Sequence, residues 1–128
     1  MSIHYSVEPI SGRITTRADG ILTFHEINAH LDLEERNQDL HRPELIDARA
    51  ADTDLSTEQV RRLVQRAARM VRDVKLGPTA IVTTNDVVFG MARMFSILAE
   101  SVGVDAAVFR DVPSATRWLE DHSTSLSI

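Results

Sequence analysis

Any chemistry in this chain must come from a few side chains, and the histidines are the first to weigh. His25-Glu26-Ile27-Asn28-Ala29-His30 approaches the helical zinc pattern but carries one residue too many. Two ligands share a helix face at i,i+4; the i,i+5 spacing of His25 and His30 turns their imidazoles apart around the axis. His30 and Glu34 have the workable spacing, yet two ligands make a weak site, and His4, His41 and His122 form no sequence cluster with them. The chain has no cysteine, which removes thiolate chemistry and Cys-based zinc sites. Its five glycines are not grouped as a phosphate-cradling loop requires, and no serine sits in a nucleophile elbow. Carboxylates are plentiful, but nothing marks two of them as a buried acid–base pair. The expectation is a non-enzymatic protein with no catalytic residue, no metal and no cofactor.

Residues that could bind are easier to find. Met91, Met94, Phe95 and Leu98 recur at helical spacing as one stripe, and Phe89, Ala92 and Ile97 extend the apolar surface past a normal core face. Met and Phe adapt to varied partners, so the stripe suits a subunit contact or an apolar ligand cleft. Burial in the core accounts for it equally well. In a wound α/β sheet, ligands meet the loops at the carboxyl ends of the parallel strands. Those loops are expected at Ala50 to Ser56, at Thr84-Asn85-Asp86 and at Arg110-Asp111. Asn85, Asp86 and Arg110 therefore join Phe89, Met91, Met94 and Phe95 as candidate ligand or partner contacts. Arg93 is added to them, a cation in an apolar helix that is expected to need a carboxylate or carbonyl partner.

The net charge of −5 disfavours nonspecific contact with nucleic acid or an anionic membrane. It is unevenly spread. From His25 to Glu58 ten acids face only Arg36, Arg42 and Arg49, whereas Arg61 to Lys75 holds six bases against Asp73. The basic stretch either meets an anion or lies solvated beside the acidic helix. The first residues lack the charged start and apolar run of a signal peptide, and Val87 to Leu98 is too short to span a bilayer. A cytoplasmic protein is expected.

These residues need elements to hold them. Ile3 to Glu8 alternates as a half-buried strand, Pro9 to Gly12 turns, and Arg13 to Ala18 reads as a hairpin partner closed by Asp19-Gly20. Thr23 and Glu26 read as a capping box opening a helix. Its apolar face holds Phe24, Ile27 and Leu31, with Asp32, Glu34, Glu35 and Asp39 outward. Glu44 to Arg49 reads as a strand and Ala50 to Leu55 as a loop. A second capping box at Ser56 to Gln59 opens a helix that carries Val60, Leu63, Val64, Ala67, Val71 and Val74 and ends at Gly77-Pro78. Thr79 to Thr83 is the best central strand; a helix follows over Val87–Val102, then a strand over Asp105–Phe109. A helix over Pro113–Asp121, anchored by Trp118 and Leu119, completes one domain over 1–121, and residues 122–128 are expected to fray. Strands alternating with helices imply a mixed, mostly parallel sheet in an α/β fold of order β-β-α-β-α-β-α-β-α.

Several phrases then come together. Asp86-Val87-Val88-Phe89-Gly90-Met91-Ala92-Arg93-Met94, Val108-Phe109-Arg110-Asp111 and Ala115-Thr116-Arg117-Trp118-Leu119 resemble the SpoIIAA-like, STAS/SEC14-type bacterial proteins. The similarity covers nearly the whole chain and implies a STAS-like domain of about five strands and four helices, in keeping with the layered order above. The leading expectation is a non-enzymatic STAS-like module acting through a protein partner, or through a second copy of itself as a homodimer. The SEC14 side of the resemblance implies instead a carrier or sensor of a small apolar, lipid-like or anionic ligand. Sporulation anti-sigma antagonists of STAS type are switched by phosphorylation of a serine at the start of the second helix. Ser56 holds the similar position, but the glycine that should follow is absent and acids crowd the site, so a helix cap is enough to explain it.

Overall fold

The computed structural model describes residues 3–124, with side chains through His122. The elements are β1 (Ile3–Val7), β2 (Ile14–Leu22), α1 (Phe24–Arg36), β3 (Glu44–Thr53), α2 (Thr57–Met70), β4 (Thr79–Val82), α3 (Asp86–Glu100), β5 (Ala106–Phe109) and α4 (Val112–Thr124). Their order is the expected one. The strands form one sheet in the order β1-β2-β3-β4-β5, with β1 antiparallel to β2 and every other neighbouring pair parallel.

That order dictates the layers. Three successive right-handed crossovers stepping in one direction across a sheet must put α1, α2 and α3 on the same face. The pleat agrees. Ile27 of α1 and Val88 of α3 pack with Ala18, Ile46, Ala48 and Ile81. The alternate residues Leu45, Ala80 and Val82 point the other way and pack on Ala115 and Leu119 of α4. Arg66 ties α2 to α1 by donating to Asn28 and to Asp32 at 2.6 Å, so one cation of the basic stretch does pair with the acidic helix.

Several boundaries differ from the sequence reading. Strand β2 does not stop at Asp19-Gly20 but runs on to Leu22, with its register shifting between Arg17 and Asp19. Gly20 takes φ of +71° inside the continued strand instead of closing a hairpin, and the extra residue of the bulge lies on β3, which advances from Asp47 to Ala50 while β2 advances from Arg17 to Asp19. Strand β3 extends to Thr53, because pairing with β2 satisfies backbone that local turn signals alone would leave as a loop. Helix α2 stops at Met70, and Val74 is exposed rather than part of the core stripe. Helix α4 continues through Thr124, past the expected end at Asp121. His122 holds there by stacking on Trp118 at 4.0 Å between ring centroids, while residues 125–128 lie outside the described residues. Among the described residues no helix is long and apolar enough to cross a membrane.

The caps hold unequally. At α1, Thr23 Oγ1 accepts from Glu26 N at 3.1 Å, yet Glu26 Oε2 is buried with no partner, so the expected box is not completed. At α2 the box is complete: Gln59 N donates to Ser56 Oγ at 3.1 Å and Ser56 N donates to Gln59 Oε1 at 3.0 Å. Ser56→Ala should therefore lower stability by about 0.5–2 kcal/mol, and Ser56→Asp should recover most of it, since Asp caps as well and suits the helix N-terminus. Urea titration of the two variants checks both.

Candidate functional site

Under α1, α2 and α3 the sheet presents several short side chains, Thr16 and Ala18 on β2, Ala48 on β3 and Thr79 on β4, interspersed with the larger Ile46 and Ile81. Short chains on a sheet face leave helices nothing to interlock with at that level, and a pocket of about 220 Å³ opens between the layers. Its helical wall is apolar, built from Leu63 and Ala67 of α2 and Met91, Ala92 and Phe95 of α3.

The polar exception is a trio. Glu44, the first residue of β3, shares its pleat face with Ile46 and Ala48 and so points under the helices. Its Oε2 accepts from Thr16 Oγ1 at 2.6 Å and lies 3.0 Å from His30 Nε2. Glu34, one helical turn beyond His30, brings Oε1 to 3.3 Å from the same nitrogen. Glu34 and Glu44 are 2% and 7% exposed, and ligand atoms of His30, Glu34 and Glu44 all lie within 4.8 Å of one another. Glu34 Oε2 is buried and no N–H or O–H donor among the described residues reaches it.

Two carboxyls this close and this dry cannot both ionise without opposition. Burial, then the charge of Glu44, push Glu34 up to about 10, so it keeps a proton at neutral pH. Burial works against ionising Glu44 as well. Hydrogen bonds from His30, Glu34 and Thr16 outweigh that and hold Glu44 below the usual carboxylate range. The pair thus carries one proton and one negative charge.

Around the trio stand further charges that the fold has already matched. Asp39, expected outward, is buried, accepting from Arg42 Nε at 2.9 Å and from the Tyr5 hydroxyl at 3.0 Å. Tyr5 meets the His30 ring edge-on at 5.4 Å. The turn that delivers Glu44 is tight: a Cβ on Gly77 would lie 2.1 Å from the carbonyl oxygen of Arg42. Only glycine fits there.

The residues singled out from sequence fall into separate places. Met91 and Phe95 line the pocket; Met94 is half-buried and is not among its lining residues. Asn85, Asp86, Phe89 and Arg110 gather at the start of α3 as a structural cluster. Asn85 Oδ1 caps Val87 N and Val88 N, while Arg110 lies 4.0 Å over the Phe89 ring and pairs with Asp86 at 2.8 Å. Arg93 is exposed and makes no ion pair among the described residues, since water solvates it without a partner. Ser56 is exposed as the α2 cap. Glu34 was expected on the outer face and is instead among the most buried polar residues. The signal existed, for Ile27, Leu31 and Glu34 follow the i, i+4, i+7 spacing of one stripe. Its partner Glu44 lies on a different element, and no local spacing links the two.

No protein-family model matches the chain, and no curated protein matches it either. Among solved structures it is similar to an uncharacterised protein of the DUF3478 family with a SpoIIAA-like fold, from Shewanella loihica. The TM-score is 0.59 and the identity 19%, over 92% of this chain and 93% of that one. The fold is SpoIIAA-like. The sequence resemblance is therefore upheld for the architecture.

The proton on Glu34 has a measurable consequence. Above pH 4.5 the unfolded chain releases this proton while the folded chain keeps it, so Glu34 erodes stability as pH rises toward its folded value of about 10. Glu44 acts in the opposite sense, its contribution being present above pH 4.5 and lost as pH falls through its lowered value. Glu34→Gln should accordingly gain on the wild type between pH 5 and 8, by at most about 1.4 kcal/mol per pH unit. Glu44→Gln should be less stable than wild type at pH 7, by a margin that shrinks in acid. Denaturant midpoints at several pH values test both signs.

Proposed function

We propose that the protein binds a small, mostly apolar ligand in the pocket beneath α1, α2 and α3, as a carrier or sensor and not as an enzyme. The observation that carries this reading is the pocket itself, about 220 Å³ in volume and mostly apolar in its lining, with His30, Glu34 and Glu44 among its few polar residues. A few convergent polar groups in an apolar concavity are what ligand sites share. Leaving that much wall unpacked costs on the order of several kcal/mol, which a ligand would offset. For scale, an engineered cavity of about 150 Å³ lined by aliphatic and aromatic side chains takes up benzene.

A second reading, self-association, rests on the outer face of α3. Val87 and Ile97 are 54% and 59% exposed. With Gly90 and Met94 they follow the i, i+3, i+7, i+10 spacing of a single outward stripe. A two-fold meeting of two such helices would cover it. The two readings concern opposite sides of one helix and are compatible.

For the pocket, toluene should raise the thermal midpoint of the wild type in a concentration-dependent way. Ala92→Leu, which projects into the space, should raise the midpoint by itself and abolish the toluene effect. A midpoint indifferent to toluene would return the pocket to ordinary core packing. For the outer stripe, the wild type should sediment as a dimer at micromolar concentration and Met94→Glu as a folded monomer. A wild type that sediments as a monomer ends the self-association reading.

A further inference from the structure

Resting on the pocket reading, the polar groups at its floor narrow the class of ligand. The donors of the trio and of its neighbour Thr16 are already directed at a carboxylate: the Thr16 hydroxyl and the Glu34 carboxyl proton at Glu44, and His30 Nε2 at Glu44 and Glu34. Among the described residues, the one fully buried polar atom of the trio that has no hydrogen-bond partner is an acceptor, Glu34 Oε2, on a side chain that is almost wholly buried. Arg42, the arginine of the lining, donates from Nε to Asp39 and from Nη1 to the Gly12 carbonyl. An anionic head group entering here would meet the Glu44 carboxylate with no donor free in the trio to receive it. A head group that donates hydrogen bonds and carries positive charge meets the opposite situation. It supplies the donor that Glu34 Oε2 lacks and the cation that lets the second carboxyl ionise.

We infer that the pocket takes a small apolar amine, its ammonium group seated against Glu34 Oε2 beside Glu44 and its apolar part lying along Met91, Ala92 and Phe95. The proton balance is simple. The ammonium enters charged, Glu34 gives up its proton to solvent, and no covalent bond forms or breaks. Affinity then rises with pH for as long as the free amine remains protonated. The charged and titratable groups around Glu34 are His30 on the same helix, Glu44 on β3, Tyr5 on β1, and Asp39 with Arg42 in the loop before β3. The α2 and α3 walls contribute apolar residues only, such as Leu63, Ala67, Met91 and Phe95. Asp39 and Arg42 neutralise each other, so the Glu34–Glu44 proton is the one that moves.

Calorimetric titration with one ring and four head groups separates this inference from the reading beneath it: toluene, benzyl alcohol, benzylamine and benzoate. Benzylamine should bind at least tenfold more tightly than benzoate. Its affinity should increase up to about tenfold per pH unit between pH 6 and 8, the slope of one released proton. Glu34→Gln, with folding verified by circular dichroism, should still bind toluene but lose both the amine preference and the pH slope. Toluene binding without any preference for benzylamine, or with benzoate favoured, overturns the amine assignment and leaves the pocket standing. Failure of all four probes overturns the pocket reading and this inference together. Stoichiometric uptake of zinc or manganese that His30→Ala abolishes would also overturn it, because the trio would then be a metal site.

Discussion

Strand β3 lies at the middle of the sheet, and most of what is particular to this molecule follows from how its first residues bury side chains on both faces. Over Glu44 to Asp47 it pairs with β2 on one side and β4 on the other, and these side chains are buried or half-buried. Leu45 turns toward α4 and completes a close-packed layer with Ala80, Val82, Ala115 and Leu119. Glu44, Ile46 and Ala48 turn toward the other helices, where short neighbours leave space. The two sides of one strand therefore have opposite fates, a filled core and an open pocket.

A carboxylate at the head of such a strand is tolerable only if it is surrounded by donors. Glu44 has Thr16 from the neighbouring strand and His30 from the helix above, which is as much compensation as a buried carboxylate needs to stay ionised. Glu34 has no comparable supply and remains protonated. The asymmetry between two chemically identical groups a few ångströms apart comes wholly from their neighbours. It also leaves the site with one acceptor oxygen unsatisfied in an apolar surrounding, a costly arrangement for a fold to keep with nothing to accept from.

The two surfaces of α3 illustrate how one apolar helix serves unlike purposes. Met91 and Phe95 look into the pocket, whereas Val87, Met94 and Ile97 belong to the stripe on its other side. A helix apolar nearly all round has neighbours or ligands on more than one side. The polar residues at its start, Asn85, Asp86 and Arg110, are engaged in capping, pairing and covering Phe89. These contacts brace the helix end, and none of the three residues lines the pocket.

Element order, sheet type and the α2 capping box were all legible in the residues, because each depends on spacing within a few positions: period-2 alternation, 3/4 helical spacing, and Ser56 with Gln59 three residues on. The true ends of β2 and β3 were not, since backbone hydrogen bonds from a partner strand carried both past their local turn signals. Two members of the trio were written locally, in His30 and Glu34 one turn apart on the stripe of Ile27 and Leu31. The third, Glu44, was not, because it and its partner Thr16 arrive from separate strands, and only the β2–β3 register brings their side chains together beneath that helix. Sequence spacing decides which face of its own element a side chain occupies. What that face meets, and hence whether a carboxyl is a solvated charge or a buried acid, is decided by tertiary packing, because desolvation and neighbouring charge exist only once distant elements touch.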